Sequence, residues 1–199
     1  MAYTTLAEMK TSLSLGSQTY ADTDITNAIN AASSAIDQMA GRTFNIDGSP
    51  STRKFLPISA GFCARDDLAS CSTFTVSCTA WTQDTEFYLE PINAAADGRP
   101  YTGIRSIGRQ FIFTVKDLEP STANFDGRVS VTGTYGWPSV PEDIKEACRI
   151  LAARLLKRVR ESTFGVVGLG YDGMTMRISG SDPDVEALIR PYSKTFIGA

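Results

Sequence analysis

Between Ala21 and Phe44, apolar side chains recur at Ile25, Ile29, Ala32, Ile36 and Met39. Steps of four, three, four and three place them on one stripe of a helix. Asp22 or Thr23 suits its N-cap, Asp24 suits the positive end of its dipole, and Gly41 suits the left-handed residue that ends it. Ala28, Ala31, Ala32 and Ala35 keep its surface low enough for a neighbour to approach closely. A shorter helix is predicted over residues 4–15, capped by Thr4 or Thr5, with Leu6, Met9 and Leu13 on one face and Gly16 at its end. A third, longer helix is predicted from Pro141 to about Thr163, with a stripe of Ile144, Ala147 or Cys148, Leu151, Leu155 and Val159. Ser181 or Asp182 caps a last short helix, with Val185, Leu188 and Ile189 on its apolar side and Pro191 as its break.

The middle of the chain changes period. Phe111, Phe113 and Val115 alternate with Ile112 and Thr114, and Val129, Val131 and Gly133 alternate with Ser130, Thr132 and Thr134. Period two signals strands. Strands are expected near 53–57, 73–78, 86–90, 103–107, 110–115 and 128–135, with turns at 106–109, 97–100 and Asp126-Gly127. Helices at both ends and strands between them predict an α+β fold. It is a small helical bundle formed by the N- and C-terminal segments with an inserted antiparallel β block. The expected divisions are residues 1–46, 47–135 and 136–199, with Ile25, Ile29, Ile36, Ile144, Leu151 and Leu155 in one core.

The junction between block and long helix is emphatic: Gly136, Trp137, Pro138 and Pro141 form a structural corner. Two prolines fix φ and remove two N–H donors there, and Trp137 is expected to fill the corner. Beyond it the long helix carries Lys145, Arg149, Arg154, Lys157, Arg158 and Arg160 off its apolar stripe. Three readings fit this basic face: a solvated face with cations near a helix C-terminus, a contact with acidic residues such as Asp22, Asp24 or Asp37 of a neighbouring subunit, or contact with DNA.

Charge and composition narrow the chemistry. The 199 residues are 42% hydrophobic and 21% charged with net charge -3, so the molecule as a whole is not an electrostatic nucleic-acid binder. No run approaches the roughly 20 apolar residues of a membrane span, and the N-terminus lacks signal-peptide character, so the expected compartment is the cytoplasm or a particle assembled there. There is no histidine, hence no Ser-His triad and no histidine metal ligand. Cys63, Cys71, Cys78 and Cys148 fit no zinc spacing and are expected as buried or half-buried free thiols. Gly168, Gly170 and Gly173 spell GxGxxG, but they follow a helix instead of a strand, so a loop is expected there, or a small strand at 174–178. Asp66 and Asp67 are adjacent and point different ways on most backbones, so they form no obvious metal pair, and Asp182 with Asp184 is no stronger. No catalytic residue, cofactor site or metal site is expected.

Two segments carry a resemblance. The first is Asp24-Ile25, Ile29, Ala32-Ser33, Ile36-Asp37 and Gly41-Arg42-Thr43-Phe44. The second runs from Val129 through Tyr135-Gly136-Trp137-Pro138 to Val140-Pro141-Glu142-Asp143-Ile144-Lys145 and Ala147, with the long basic helix after it. In this order, with a β-rich insert between, they resemble the head-tail connector (adaptor) proteins of tailed bacteriophages. The resemblance implies a non-catalytic virion protein of the neck, a dodecameric homo-oligomeric ring docked on the portal protein and bridging it to the next neck or tail protein. Genome DNA would pass through its channel without specific binding, and no membrane is involved. Portal contact is expected from the tail residues Arg190, Tyr192, Lys194, Phe196 and Ile197, because that segment has little core of its own. Inter-subunit contact is expected from Arg149, Arg154, Lys157 and Arg158. The alternatives are another phage neck or tail-completion protein, a DNA-binding module using the basic helix 141–163, and a small metal-dependent enzyme.

Overall fold

In a computed structural model, residues 2–13, 20–111, 129–161, 166–169, 175–177 and 182–194 are described. The chain divides into two compact units, one formed by Met1–Phe44 with Val140–Ala199 and one by Asn45–Ser139. The fold is α+β, as the change of period predicts.

The helical unit contains α1 (Leu6–Leu13), α2 (Asp22–Ala40), α3 (Glu142–Glu161) and α4 (Pro183–Ile189). A capping box starts α1: the Thr5 hydroxyl accepts from Glu8 N–H at 3.2 Å, and the Glu8 carboxylate accepts from Thr5 N–H at 2.8 Å. These bonds hold the Glu8 carboxyl below its ordinary range. Neither Asp22 nor Thr23 caps α2. The extended residue before it is Ala21, without a side-chain cap, and Asp22 and Asp24 sit in the first turn, where the dipole favours them. Gly41 ends α2 at φ 64°, in the left-handed region. Asp182 caps α4 by accepting from Asp184 N–H at 3.1 Å, and Pro183 follows in the first turn.

Helices α2 and α3 pack together, and the small residues Ala28 and Ala32 on one and Ala147, Cys148 and Ala152 on the other are all buried. Ile25, Ile29, Ile36 and Ile144 are buried as expected, but Met39 is exposed. The stripe on α3 differs from expectation beyond Cys148. It continues through Ala152 and Leu156 in steps of four, while Leu151 and Leu155 are only half-buried. The small Ala152 takes the buried position, and the two leucines lie beside it at the edge. Ser33 and Tyr3, buried in this core, are hydrogen-bonded. Ser33 donates to the Ile29 carbonyl at 2.8 Å and accepts from Tyr3 N–H at 3.2 Å. The Tyr3 hydroxyl donates to Asp37 and accepts from Phe44 N–H at 3.0 Å. Burial pushes both the Tyr3 phenol and the Asp37 carboxyl above their ordinary values. A two-stranded antiparallel hairpin, β7 (Val166–Leu169) with β8 (Thr175–Arg177), also belongs to this part of the chain.

Among the described residues the β unit forms an antiparallel sheet of six strands: β1 (Ser51–Phe55), β2 (Phe62–Val76), β3 (Thr79–Ala80), β4 (Phe87–Glu90), β5 (Tyr101–Ser106) and β6 (Val129–Tyr135). The order is β1-β6-β2-β5-β4, with β3 pairing with β2. The 15-residue β2 is the spine, with β6 along its second half and β5 along its first. The sequence pattern anticipates only its end, because bulges break its alternation at Ala64/Leu68, Leu68/Ser70 and Cys71/Thr73. The core joins Cys63, Leu68, Phe74, Val76, Phe87, Leu89, Ile104, Phe111, Val129, Val131 and Tyr135. Phe74 and Phe87 lie 4.2 Å apart between ring centroids, and Trp81 stacks on Phe111 at 5.3 Å. The expected strand at 110–115 lies outside the described residues beyond Phe111, and Gln110 and Phe111 themselves are not in a strand.

Candidate assembly surfaces

The corner is the most tightly specified of the predicted sites. Gly136 has φ 107°, and a Cβ there would lie 1.9 Å from the Asn45 carbonyl oxygen. Its N–H donates to the Asp67 carbonyl at 2.8 Å, and it bridges to Ile46. Asp47 N–H donates to the Tyr135 carbonyl at 2.7 Å, so the segments that begin and end the β unit run side by side. Trp137 is buried and Pro138 is exposed, both in the β unit. Pro141 belongs to the helical unit. Its carbonyl accepts from the N–H groups of Ile144 and Lys145, both at 3.1 Å, which makes it the cap of α3 and not its first helical residue.

The four cations expected between subunits separate into two pairs. Arg149 bridges to Glu146 at 2.5 Å within α3, and Arg154 bridges to Asp182 at 2.7 Å at the start of α4. Lys157 and Arg158 are exposed. Among their expected acidic partners, Asp22 pairs with Lys10 at 2.6 Å and Asp37 accepts from Tyr3, while Asp24 is exposed. A groove of about 380 Å³ opens among α2, α3 and α4. Met39, Leu151, Leu155 and Val185 form its apolar floor, and Arg154, Arg158 and Asp182 contribute its polar rim. The periodicity of α3 singled out the two leucines but placed them in the core.

The tail is tied down further than its composition suggests. A 3-10 turn, Arg190–Tyr192, follows α4. The Tyr192 hydroxyl donates to Asp143 at 2.8 Å, its ring meets Phe44 edge-on at 6.0 Å, and Lys194 N–H donates to the Ala40 carbonyl at 2.8 Å. Arg190 is exposed. Phe196 and Ile197 lie outside the described residues, as do Gly170 and Gly173 of the GxGxxG stretch, whose Gly168 lies in β7.

This fold has counterparts in phage-like particles. One is a chain in the neck of an empty GTA particle, computed with C6 symmetry, at TM-score 0.56 and 17% identity, covering 98% of this chain and 91% of that one. Another is a chain in the virion of a native gene transfer agent particle, at TM-score 0.52 and 18% identity, with the same coverage of 98% and 91%. At such identity the likeness is one of fold, and it spans both units. No family model matches the chain, and no curated protein matches it.

The remaining candidates are accounted for by local structure. Asp66 bridges to Arg53 at 3.0 Å, whereas Asp67 is buried, so the adjacent carboxylates do diverge. Among the described residues no group of three or more Cys, Asp or Glu side chains could hold a metal ion, and no helix is long and apolar enough to cross a membrane. Cys63 and Cys148 are buried and Cys71 half-buried, but Cys78 is exposed, contrary to expectation. It occupies a two-residue turn, Ser77-Cys78, between β2 and β3, with φ 49° and 66°. Sequence reading missed that turn and the Arg65 environment described below. The interruption of alternation by Arg65-Asp66-Asp67 was the available signal for the latter.

Proposed function

We propose that this chain is a structural, non-catalytic protein of a phage-like neck, a head-to-tail adaptor that assembles as a ring on the portal and joins the capsid to the next neck or tail protein. What carries the reading is the fold likeness, over 98% of the chain, to a protein found in a particle neck. The two resembling segments support it independently of the fold. Sixfold symmetry in that neck is compatible with six copies or with the dodecamer expected from the resemblance. The DNA-binding alternative is weakened by Arg149 and Arg154, which spend their charge within the chain.

The test is negative-stain imaging and native mass measurement of the purified protein with and without portal. Rings on the portal are the expected result, and a protein that stays monomeric and unbound beside assembled portal overturns the reading. The tail is probed by deleting residues 195–199, since Tyr192 and Lys194 are held within the helical unit. The shortened chain is expected to remain folded and lose portal binding. Retained binding would move the docking surface to the groove and to Lys157 and Arg158.

A further inference from the structure

Arg65 stands where the β sheet comes apart. Ala64 of β2 is paired with Gly103 of β5, and the next matched pair is Leu68 with Tyr101. Three residues of β2 therefore face one of β5. Bulges re-aim side chains, and they are frequent beside functional sites. Here Asp66 turns to Arg53, while Arg65 is carried inward and is 6% exposed. Its Nε, Nη1 and Nη2 atoms are all buried, and none of them has an acceptor among the described residues.

Among the described residues, the groups whose electrostatics act on Arg65 are the thiols of Cys71 and Cys63 and the phenols of Tyr135 and Tyr101. Asp67, also buried and two residues along the same strand, neither bonds to it nor acts on its charge. Burial pushes Cys63 up to about 12 and Tyr135 up to about 12, so both are neutral at pH 7. Burial pulls the guanidinium down to about 10, which still leaves it charged. A guanidinium offers five N–H donors in a fixed fork and accepts nothing. Burying it uncompensated is costly, and a methionine or leucine would fill similar space without that cost.

We propose that Arg65 anchors an oxyanion site in the β unit, which takes one phosphate or carboxylate group. The planar fork matches two oxygens of such a group, which a lysine's point charge does not. The group has two possible sources: a free anion, or a side-chain carboxylate of a second copy. The ring reading is needed only for the second.

Thermal melting of the full chain separates these cases, using wild type, Arg65→Met and Arg65→Lys in chloride buffer free of oxyanions. Sodium phosphate is then added against sodium chloride at matched ionic strength. In chloride alone Arg65→Met is expected to melt higher than wild type, because it removes an uncompensated charge. A lower melting temperature there would show that Arg65 already has its partner within the chain, and would overturn the proposal. For a free anion, saturating phosphate raises the wild-type melting temperature by at least about 3 °C, leaves Arg65→Met unmoved and acts weakly on Arg65→Lys. For a carboxylate from a second copy, phosphate has no specific effect. Wild type alone then melts higher as its concentration rises, with oligomers visible by native mass. Identical responses of wild type and Arg65→Met to both variables overturn the proposal. Should Arg65→Met fail to fold, Arg65→Lys decides, and a response equal to wild type counts against the site.

Discussion

In the helical unit, Ser33 and Tyr3 are drawn into the core and bonded to each other, and Tyr3 also donates to the half-buried Asp37 and accepts from Phe44 N–H. In the β unit, Arg65 is drawn in just as far and meets no acceptor among the described residues. The first region owes its order to side chains three and four apart, which meet whenever the helix forms. The second owes its order to backbone contacts between residues far apart in sequence, such as Gly136 with Asn45 and Phe62 with Arg105. Local rules thus dominate one region and long-range pairing the other, and irregularity is concentrated in the latter.

Four tests probe that contrast, beginning with the largest effect. Gly136→Ala puts a Cβ into the Asn45 carbonyl at a φ that side chains rarely adopt, so the β unit is expected to lose at least about 4 kcal/mol by urea denaturation. A loss under about 1 kcal/mol would mean that long-range backbone contact does not govern this region. In the helical unit, Leu156→Ala is expected to cost about 3 kcal/mol, and Leu151→Ala clearly less, because only Leu156 is buried. Equal losses would place Leu151 back in the core and remove the step-of-four account of α3.

The third test is by pH. Cys63 has its thiol pushed from 9.0 up to about 12 by burial. The unfolded chain therefore releases this proton before the folded one does. The stability that Cys63 contributes is complete below pH 9 and is lost as pH rises from 9 towards 12, with a limiting slope of about 1.4 kcal/mol per pH unit. Cys63→Val is expected to flatten that part of the profile; an unchanged slope would assign it to other groups, Tyr135 foremost. The smallest effect lies in the Ser77-Cys78 turn. Both residues have positive φ, the geometry that Asn-Gly adopts readily. Ser77→Asn with Cys78→Gly is expected to stabilise the β unit by about 1 kcal/mol, read as a shift of the denaturation midpoint. No gain would show the turn to be strained by its surroundings.

The contrast also explains how much could be read from the sequence. Helix α2 was legible because Ile25, Ile29, Ala32 and Ile36 declare its buried face directly, and Gly41 marks its end. The late part of α3 was misread because leucine and alanine competed for the same face, and the small Ala152 takes the buried position. In the β unit, β6 alternates without a break and was found, while the first half of β2 was not. Its bulges shift the side-chain phase, and Arg65 and Asp67 occupy positions where a two-period pattern calls for apolar residues. The Ser77-Cys78 turn lacks the glycine or asparagine that normally announces such geometry. Among the assembly residues, the sequence showed which side chains are basic, but not that Arg154 finds an acid nearby, since Asp182 is distant in sequence, whereas the Arg149 pair with Glu146 follows from helix spacing.

The paired segments at Ile46 and Gly136 set the cost of varying what lies between them. The ends of the β unit are held together whatever its length, so only the entropy of closing that loop depends on size. This cost grows logarithmically, by about 0.6 kcal/mol for each doubling of the enclosed chain. A helical scaffold of this kind can therefore carry inserts of very different sizes at almost constant thermodynamic expense.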